Sequence, residues 1–387
     1  SLSAFFLVVA LTIPGASGRK LGADLDGTEL LIECAKNEAS AEVAGIYAMN
    51  SDGDVQLVIR YGKNPAWDPE HRQFCYSLFG HTWLADLDRK VVRQLDLHGM
   101  FYDHFPSFWE PRSKLSPMLW LPDGTGIVRW LPNSYGFMPM LINPLLKNTD
   151  GGDHASRFIL PHPRKTAIGR YSFDASGKRC AFETAWLLPA FGCSDREVFI
   201  RMKPDAEAVP LTLPFKTHAL LNPLWEPGSN RLAVDYLDEE NRRHCVVGEL
   251  NSAKQWQRVP LEKPWDKGLW GCTAGAEWAP SGERLLVKVF KSSLTDIHEV
   301  GAVIHFFRSG KPVWECSLLG WTSKAQMRWA PDGKHVAALG SSFPFNAEYD
   351  FAEVLVYTLP QNAKEAHEVD GRGVRLPEGL RPVSIDW

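Results

Sequence analysis

Short apolar runs recur along the chain, each opened by a tight turn and each carrying the alternation of a strand rather than the 3.6-residue period of a helix. An aromatic residue marks the start of each unit. The clearest copies are Trp120-Leu-Pro-Asp-Gly124, Trp278-Ala-Pro-Ser-Gly282 and Trp329-Ala-Pro-Asp-Gly333. Weaker copies begin at Trp67, Phe173 and Trp225, and Ala23-Asp-Leu-Asp-Gly27 is the most degenerate. From Trp67 to Trp329 the aromatic returns after 53, 53, 52, 53 and 51 residues, and only the first step, from Ala23, is shorter at 44. A period held this closely marks a repeat architecture and outranks any local reading.

The unit explains itself mechanically. Pro presets φ, Asp bonds the backbone ahead of it, and Gly accepts φ > 0. The expected strands after the turns are Glu29–Cys34, Arg72–Leu78, Gly126–Trp130, Arg179–Glu183, Arg231–Tyr236, Arg284–Phe290 and Lys334–Leu339, with a second strand pair following in most copies. Four strands in about 50 residues is the content of one propeller blade. The expected fold is therefore an all-β propeller of four-stranded blades, covering 19–387, with seven blades and eight as the alternative. Leu380–Trp387 reads as one further inner strand, so the ring closes by pairing its two ends, which removes exposed sheet edges. The repeat aromatics are expected to pack between adjacent sheets. Residues 1–18 stand apart: Ala4–Ile13 is apolar except for Thr12, and Pro14-Gly15-Ala16-Ser17-Gly18 follows. This is the pattern of a secretory signal peptide, with a stray strand as the alternative, and it is too short for a stable membrane span.

Trp-x-Pro-Asp-Gly before an apolar strand, together with Ile46-Tyr-Ala-Met-Asn-Ser-Asp-Gly53, resembles the WD40-like (PD40) repeat of TolB-type β-propellers. Similar repeats build the propellers of prolyl oligopeptidase-like and dipeptidyl-peptidase-like proteins. The resemblance runs from about Lys20 to Trp387 and implies the fold. It implies no single activity, because such propellers host many functions. The sequence holds neither TolB's small N-terminal domain nor an α/β-hydrolase domain, so neither function is carried over.

Composition changes the picture little. The 387 residues are 44% hydrophobic and 23% charged, with a net charge of −4 and no long basic run, which argues against nucleic acid. The seven cysteines, at 34, 75, 180, 193, 245, 272 and 316, show no CxxC and no regular spacing. Those at 34, 75 and 180 fall in apolar strands, as buried free thiols do, while Cys180 and Cys193 flank one loop and could bridge there.

Function is expected on loops. Two are long, Leu97–Pro117 leading into the third unit and Leu131–Ala155 after its second strand, and both are expected to open side by side on one face. They carry the candidate binding residues His98, Phe101, Tyr102, Asp103, His104, Trp109, Tyr135, Phe137 and His154. Aromatics with a few polar groups suit a pocket or a protein contact, and a self-buried cap is the plain alternative. Asn148, Asp150 and Asp153 could offer oxygens to Ca²⁺ or another divalent metal, although a solvated turn accounts for them and no EF-hand spacing is present. His98, His104 and His154 could converge on a metal. Gly-x-Ser-x-Gly, His-Glu-x-x-His and Gly-x-x-x-x-Gly-Lys-[Ser/Thr] are all missing, and His298-Glu299 and His367-Glu368 lack a second His.

The expectation is a periplasmic or secreted, non-catalytic binding or scaffold module, monomeric, without a cofactor. Its expected partner is a protein or peptide at the loop face over the third blade, with carbohydrate as the second class. The alternatives are a metal-dependent polysaccharide lyase or hydrolase at the axial mouth, and the propeller half of a longer oligopeptidase-like chain.

Overall fold

The computed structural model describes the chain from residue 25 onward, apart from segments 37–42, 96–117, 143–156, 159–166, 186–195, 251–255, 261–268, 319–325, 341–352 and 360–366 and shorter stretches of one to four residues. The signal-like segment 1–18 lies outside the described residues. The described chain is all β, and its strands fall into seven sheets, six of four strands and one of six. Within a sheet, chain order runs from an inner strand, A, outward through B and C to D.

The second sheet is Lys63–Trp67, Gln73–Leu78, His81–Asp86 and Val91–Gln94. The third is Met118–Trp120, Ile127–Asn133, Gly136–Ile142 and Arg157–Phe158, and the fourth is Ala167–Phe173, Cys180–Ala185, Arg196–Arg201 and Val209–Pro210. The fifth is Ala219–Trp225, Arg231–Leu237, Arg243–Glu249 and Gln257–Arg258. In the sixth, Leu269–Cys272 and Glu277–Trp278 share the inner edge, followed by Arg284–Ser292, Ile297–Arg308 and Lys311–Leu318. The seventh is Met327–Trp329, His335–Gly340, Glu353–Thr358 and Arg372–Val374, and the short strand His367–Val369 from the same stretch of chain completes the sixth sheet by pairing in parallel with its outer strand.

The first sheet takes its inner strand from the far end of the chain. Leu380–Asp386 pairs antiparallel with Leu30–Lys36, outside which lie Gly45–Met49 and Val55–Arg60. Trp387, not Ala23, is therefore the aromatic of the first unit, and this is why that copy looked degenerate and its step came out short.

The aromatics pack as the repeat implies. Trp67, Trp120, Trp225, Trp278 and Trp329 are all buried, each in a cluster with residues of the preceding sheet, such as Trp278 with Ala233 and Cys245. The turns also recur in their backbone bonds: Gly124, Gly177, Gly282 and Gly333 each donate their N–H to the residue after the aromatic. At Gly282, φ is +82° and a Cβ would stand 2.6 Å from the Pro227 carbonyl oxygen, so the turn of the preceding unit leaves no room for a side chain. An arginine at the end of three successive turns reaches to the next unit. Arg179 lies over the Trp225 ring at 4.6 Å and donates to Asn230, Arg231 lies over Trp278 at 5.9 Å, and Arg284 donates to the Gly333 carbonyl. Among the described residues Cys34, Cys75, Cys180 and Cys245 are buried free thiols, and Cys193 lies outside the described residues.

Candidate functional site: the axial strands and the loop end

The residue before each aromatic sits on the innermost strand, where the sheets meet around the axis. Around the ring this position is Ala66, Leu119, Ser172, Leu224, Glu277, Arg328 and Asp386. Backbone and side chain there stitch neighbouring sheets together. Indole N–H groups donate to the carbonyl of the same position one sheet back: Trp120 to Ala66 at 2.9 Å, Trp278 to Leu224 at 3.2 Å and Trp329 to Glu277 at 3.1 Å. Trp225 departs from this. Its Nε1 is buried without a partner, while its backbone N–H donates to Ser172 Oγ at 2.8 Å.

Three adjacent sheets place charges at this position. Arg328 Nε donates to Asp386 Oδ1 at 3.0 Å and its Nη1 reaches Glu277 Oε1 at 3.5 Å, while Asp386 Oδ2 accepts the Trp67 N–H at 2.7 Å. Burial works against the Arg328 charge, but Glu277 and Asp386 outweigh it and hold the guanidinium above its ordinary pKa. Burial also pushes the Asp386 carboxyl up, opposed by Arg328 and the Trp67 N–H. One guanidinium thus bridges the sixth, seventh and first sheets across the ring closure.

A second pattern lies nearer the opposite end of the inner strands. Asn64-Pro65-Ala66-Trp67 and Asn222-Pro223-Leu224-Trp225 repeat the same tetrad, and both Asn residues take left-handed φ, 51° and 47°. The register shifts at both, between Lys63 and Ala66 and between Leu221 and Leu224. Each exposed N–H is taken up by a glutamate on the B strand of the preceding sheet: Glu33 accepts from Asn64 at 2.9 Å, Glu183 from Asn222 at 3.2 Å. Asn222 Nδ2 donates in turn to Asp235 at 2.8 Å, and Arg196 pairs with Glu183 at 3.1 Å. These bulges account for buried acids that would otherwise be costly.

Most of the residues expected to form a binding site lie outside the described residues: His98, Phe101, Tyr102, Asp103, His104, Trp109, Tyr135, Asn148, Asp150, Asp153 and His154. The backbone of Phe137 is on the C strand, opposite Pro132. The strand order corrects the side-by-side expectation. Gly136–Ile142 is a strand, so only 134–135 join B to C in the third sheet, and the long remainder, 143–156, joins C to D. Alternating strand direction puts the chain's exit after Ile142 and its re-entry at Arg157 at the 121–126 turn end. The exit after Leu95 and the entry at Met118 lie at the other end. The attachment points of 96–117 and 143–156 thus lie at opposite ends of the blade, and His98, His104, Asn148, Asp150, Asp153 and His154 themselves lie outside the described residues. Among the described residues no three His, Cys, Asp or Glu side chains are grouped to hold a metal, and no helix is long and apolar enough to cross a membrane. A shallow cleft of about 250 Å³ lies between two turns, lined by Asp174, Ser176, Arg179, Ser229 and Asn230. Its arginine is already bonded to Asp174, Asn230 and the Ser229 carbonyl.

The axial charges were missed because the reading of the sequence stopped at the aromatics. The signal was one residue away, in three successive copies reading Glu277, Arg328 and Asp386 before Trp.

No protein-family model matches the chain, and no curated protein matches it in sequence. Solved structures do. A hypothetical selenium-binding protein from Sulfolobus tokodaii aligns with a TM-score of 0.59 at 9% identity, over 92% of this chain and 93% of that one. A puromycin-hydrolyzing peptidase from Mycobacterium tuberculosis aligns at 0.58 and 13%, over 94% of this chain and 55% of its own length. Oligogalacturonate lyase from Vibrio parahaemolyticus aligns at 0.54 and 11%, over 90% and 88%. At these identities the likeness is one of fold. The chain is a β-propeller, the fold its TolB-like and oligopeptidase-like repeats imply.

Proposed function

We propose that the chain is a seven-bladed, exported propeller that acts as a non-catalytic binding or scaffold module for a protein or peptide. The observation that carries this reading is the use of the axial charges. Arg328, Glu277 and Asp386 bond one another and the Trp67 backbone across three sheets, which makes the ring rigid and commits those groups to structure. A rigid ring that presents aromatic-rich loops is suited to partner recognition. The proposed contact residues are His98, Phe101, Tyr102, Asp103, His104 and Trp109, with Tyr135 in the short B–C connection and Phe137 near the start of the C strand at the same end. Export rests on the apolar run Ala4–Ile13 and the small residues after it.

The test is metal analysis with a thermal-shift screen against divalent metals, oligosaccharides and peptides, using the His98→Ala/His104→Ala variant as control. A peptide-dependent shift lost on Phe101→Ala/Trp109→Ala is the expected result. Stoichiometric metal that disappears with the two histidines would overturn the module and favour a metal-dependent lyase.

A further inference from the structure

The slot that receives Leu380–Asp386 is built almost wholly by other parts of the chain. Glu33 Oε2 accepts from Ser384 Oγ at 2.6 Å, Gln326 Oε1 from the Ile385 N–H at 3.0 Å, and the Thr28 carbonyl from Trp387 Nε1 at 3.0 Å. Arg328 and the Trp67 N–H hold the two oxygens of Asp386. Leu380 and Ile385 are buried, Ile385 at 1% exposure. Backbone pairing with Leu30–Lys36 supplies the remainder, with a register shift at Glu33/Cys34 opposite Pro382 and Ser384. The slot therefore recognises a sequence: two apolar side chains, a hydroxyl, a carboxylate and an indole at set spacings.

The contacts that fill it span nearly the whole chain, 351 residues apart for Ser384–Glu33 and 359 for Trp387–Thr28. Such pairings form late, because loop closure opposes them. Until then the first sheet presents the exposed edge of Leu30–Lys36. The connection that feeds the strand is short: Arg372–Val374 ends the seventh sheet, and Leu380 begins the strand after a turn in which Gly379 has φ +76°.

We propose that this slot is a strand-binding site that also accepts residues 380–387 of a second copy of the chain, giving a strand-exchanged dimer. Exchange conserves the contacts made by 380–387 and opens only the turn closed by the Leu380 N–H and the Pro377 carbonyl, so the dimer needs no new interface. The competing cis closure runs at an effective concentration on the order of millimolar. Exchange therefore occurs while chains fold, and a closed ring does not undergo it.

The test uses two differently tagged full-length chains, refolded together from urea over a range of concentrations. Mixed-tag dimer should form on co-refolding and be absent when separately refolded chains are mixed. While dimer is the minor species, its ratio to monomer should rise about tenfold for each tenfold rise in chain concentration. Excess free peptide Leu-Arg-Pro-Val-Ser-Ile-Asp-Trp should suppress the mixed dimer and be retained by refolded monomer. The same peptide with Lys in place of Asp should do neither. Failure to form mixed dimer at any concentration would overturn the proposal, as would mixed dimer that the free peptide leaves unchanged or that both peptides suppress equally.

Discussion

Trp120 and Trp225 occupy the same position in their repeats, are buried to 5% and 3% exposure, and differ in their indole hydrogen bond. The Trp120 indole N–H donates to the Ala66 carbonyl at 2.9 Å, whereas Trp225 Nε1 is buried without a partner. Replacing each with Phe removes about the same volume. A residual cavity of roughly 40 Å³ at about 24 cal/mol per Å³ costs ~1 kcal/mol at either site. At Trp120 the change also strands the buried Ala66 carbonyl, adding about 1–2 kcal/mol. At Trp225 it removes an unsatisfied donor, which offsets part of the cavity cost, while the Arg179 guanidinium keeps an aromatic face beneath it. Trp120→Phe should therefore cost about 2–3 kcal/mol and Trp225→Phe about 1 kcal/mol or less. Urea midpoints followed by far-UV circular dichroism measure both. Equal costs, or a larger loss at Trp225, would refute the claim that the indole hydrogen bond is what favours Trp over Phe at this position.

Arg328→Leu leaves the Glu277 and Asp386 carboxylates facing each other near the axis and should cost about 2–4 kcal/mol. Adding Glu277→Gln and Asp386→Asn should recover at least half of that loss in the same denaturation assay, and a triple variant no better than the single one would refute the bridge. Burial works against the Asp174 charge, but its hydrogen bonds from the Arg179 backbone and guanidinium outweigh that and hold its carboxyl below the ordinary value of 3.8. Its contribution is thus fully present above that value and is lost as pH falls through the lower folded value. Asp174→Asn should narrow the gap between urea midpoints at about pH 6 and about pH 3, and an unchanged gap would count against the Arg179 clamp.

Much of the fold was readable before any coordinates. The Trp spacing and the Pro-Asp-Gly turns place the starts of the B strands to within one residue and their ends to within three, because turn chemistry and alternation are local properties. One strand was hidden. Gly136–Ile142 contains Pro139, which removes a ladder donor and argues against an interior strand. Among the described residues the outer strand of that sheet pairs with Met140 and Leu141 and not with Pro139. With that strand restored, the points where the two long segments attach lie at opposite ends of the blade.

By itself the sequence determined the repeat, the inner aromatics and the buried thiols, since each follows from residues within a single unit of about 50. Only the tertiary structure decided which units meet. Arg328 stands 51 residues after Glu277 and 58 before Asp386, and Trp387 stands 359 after its partner Thr28. No local rule relates residues so far apart. Curving the sheets around an axis brings the same position of every copy to the same radius, and there the charges of three units meet and the last strand finds the first.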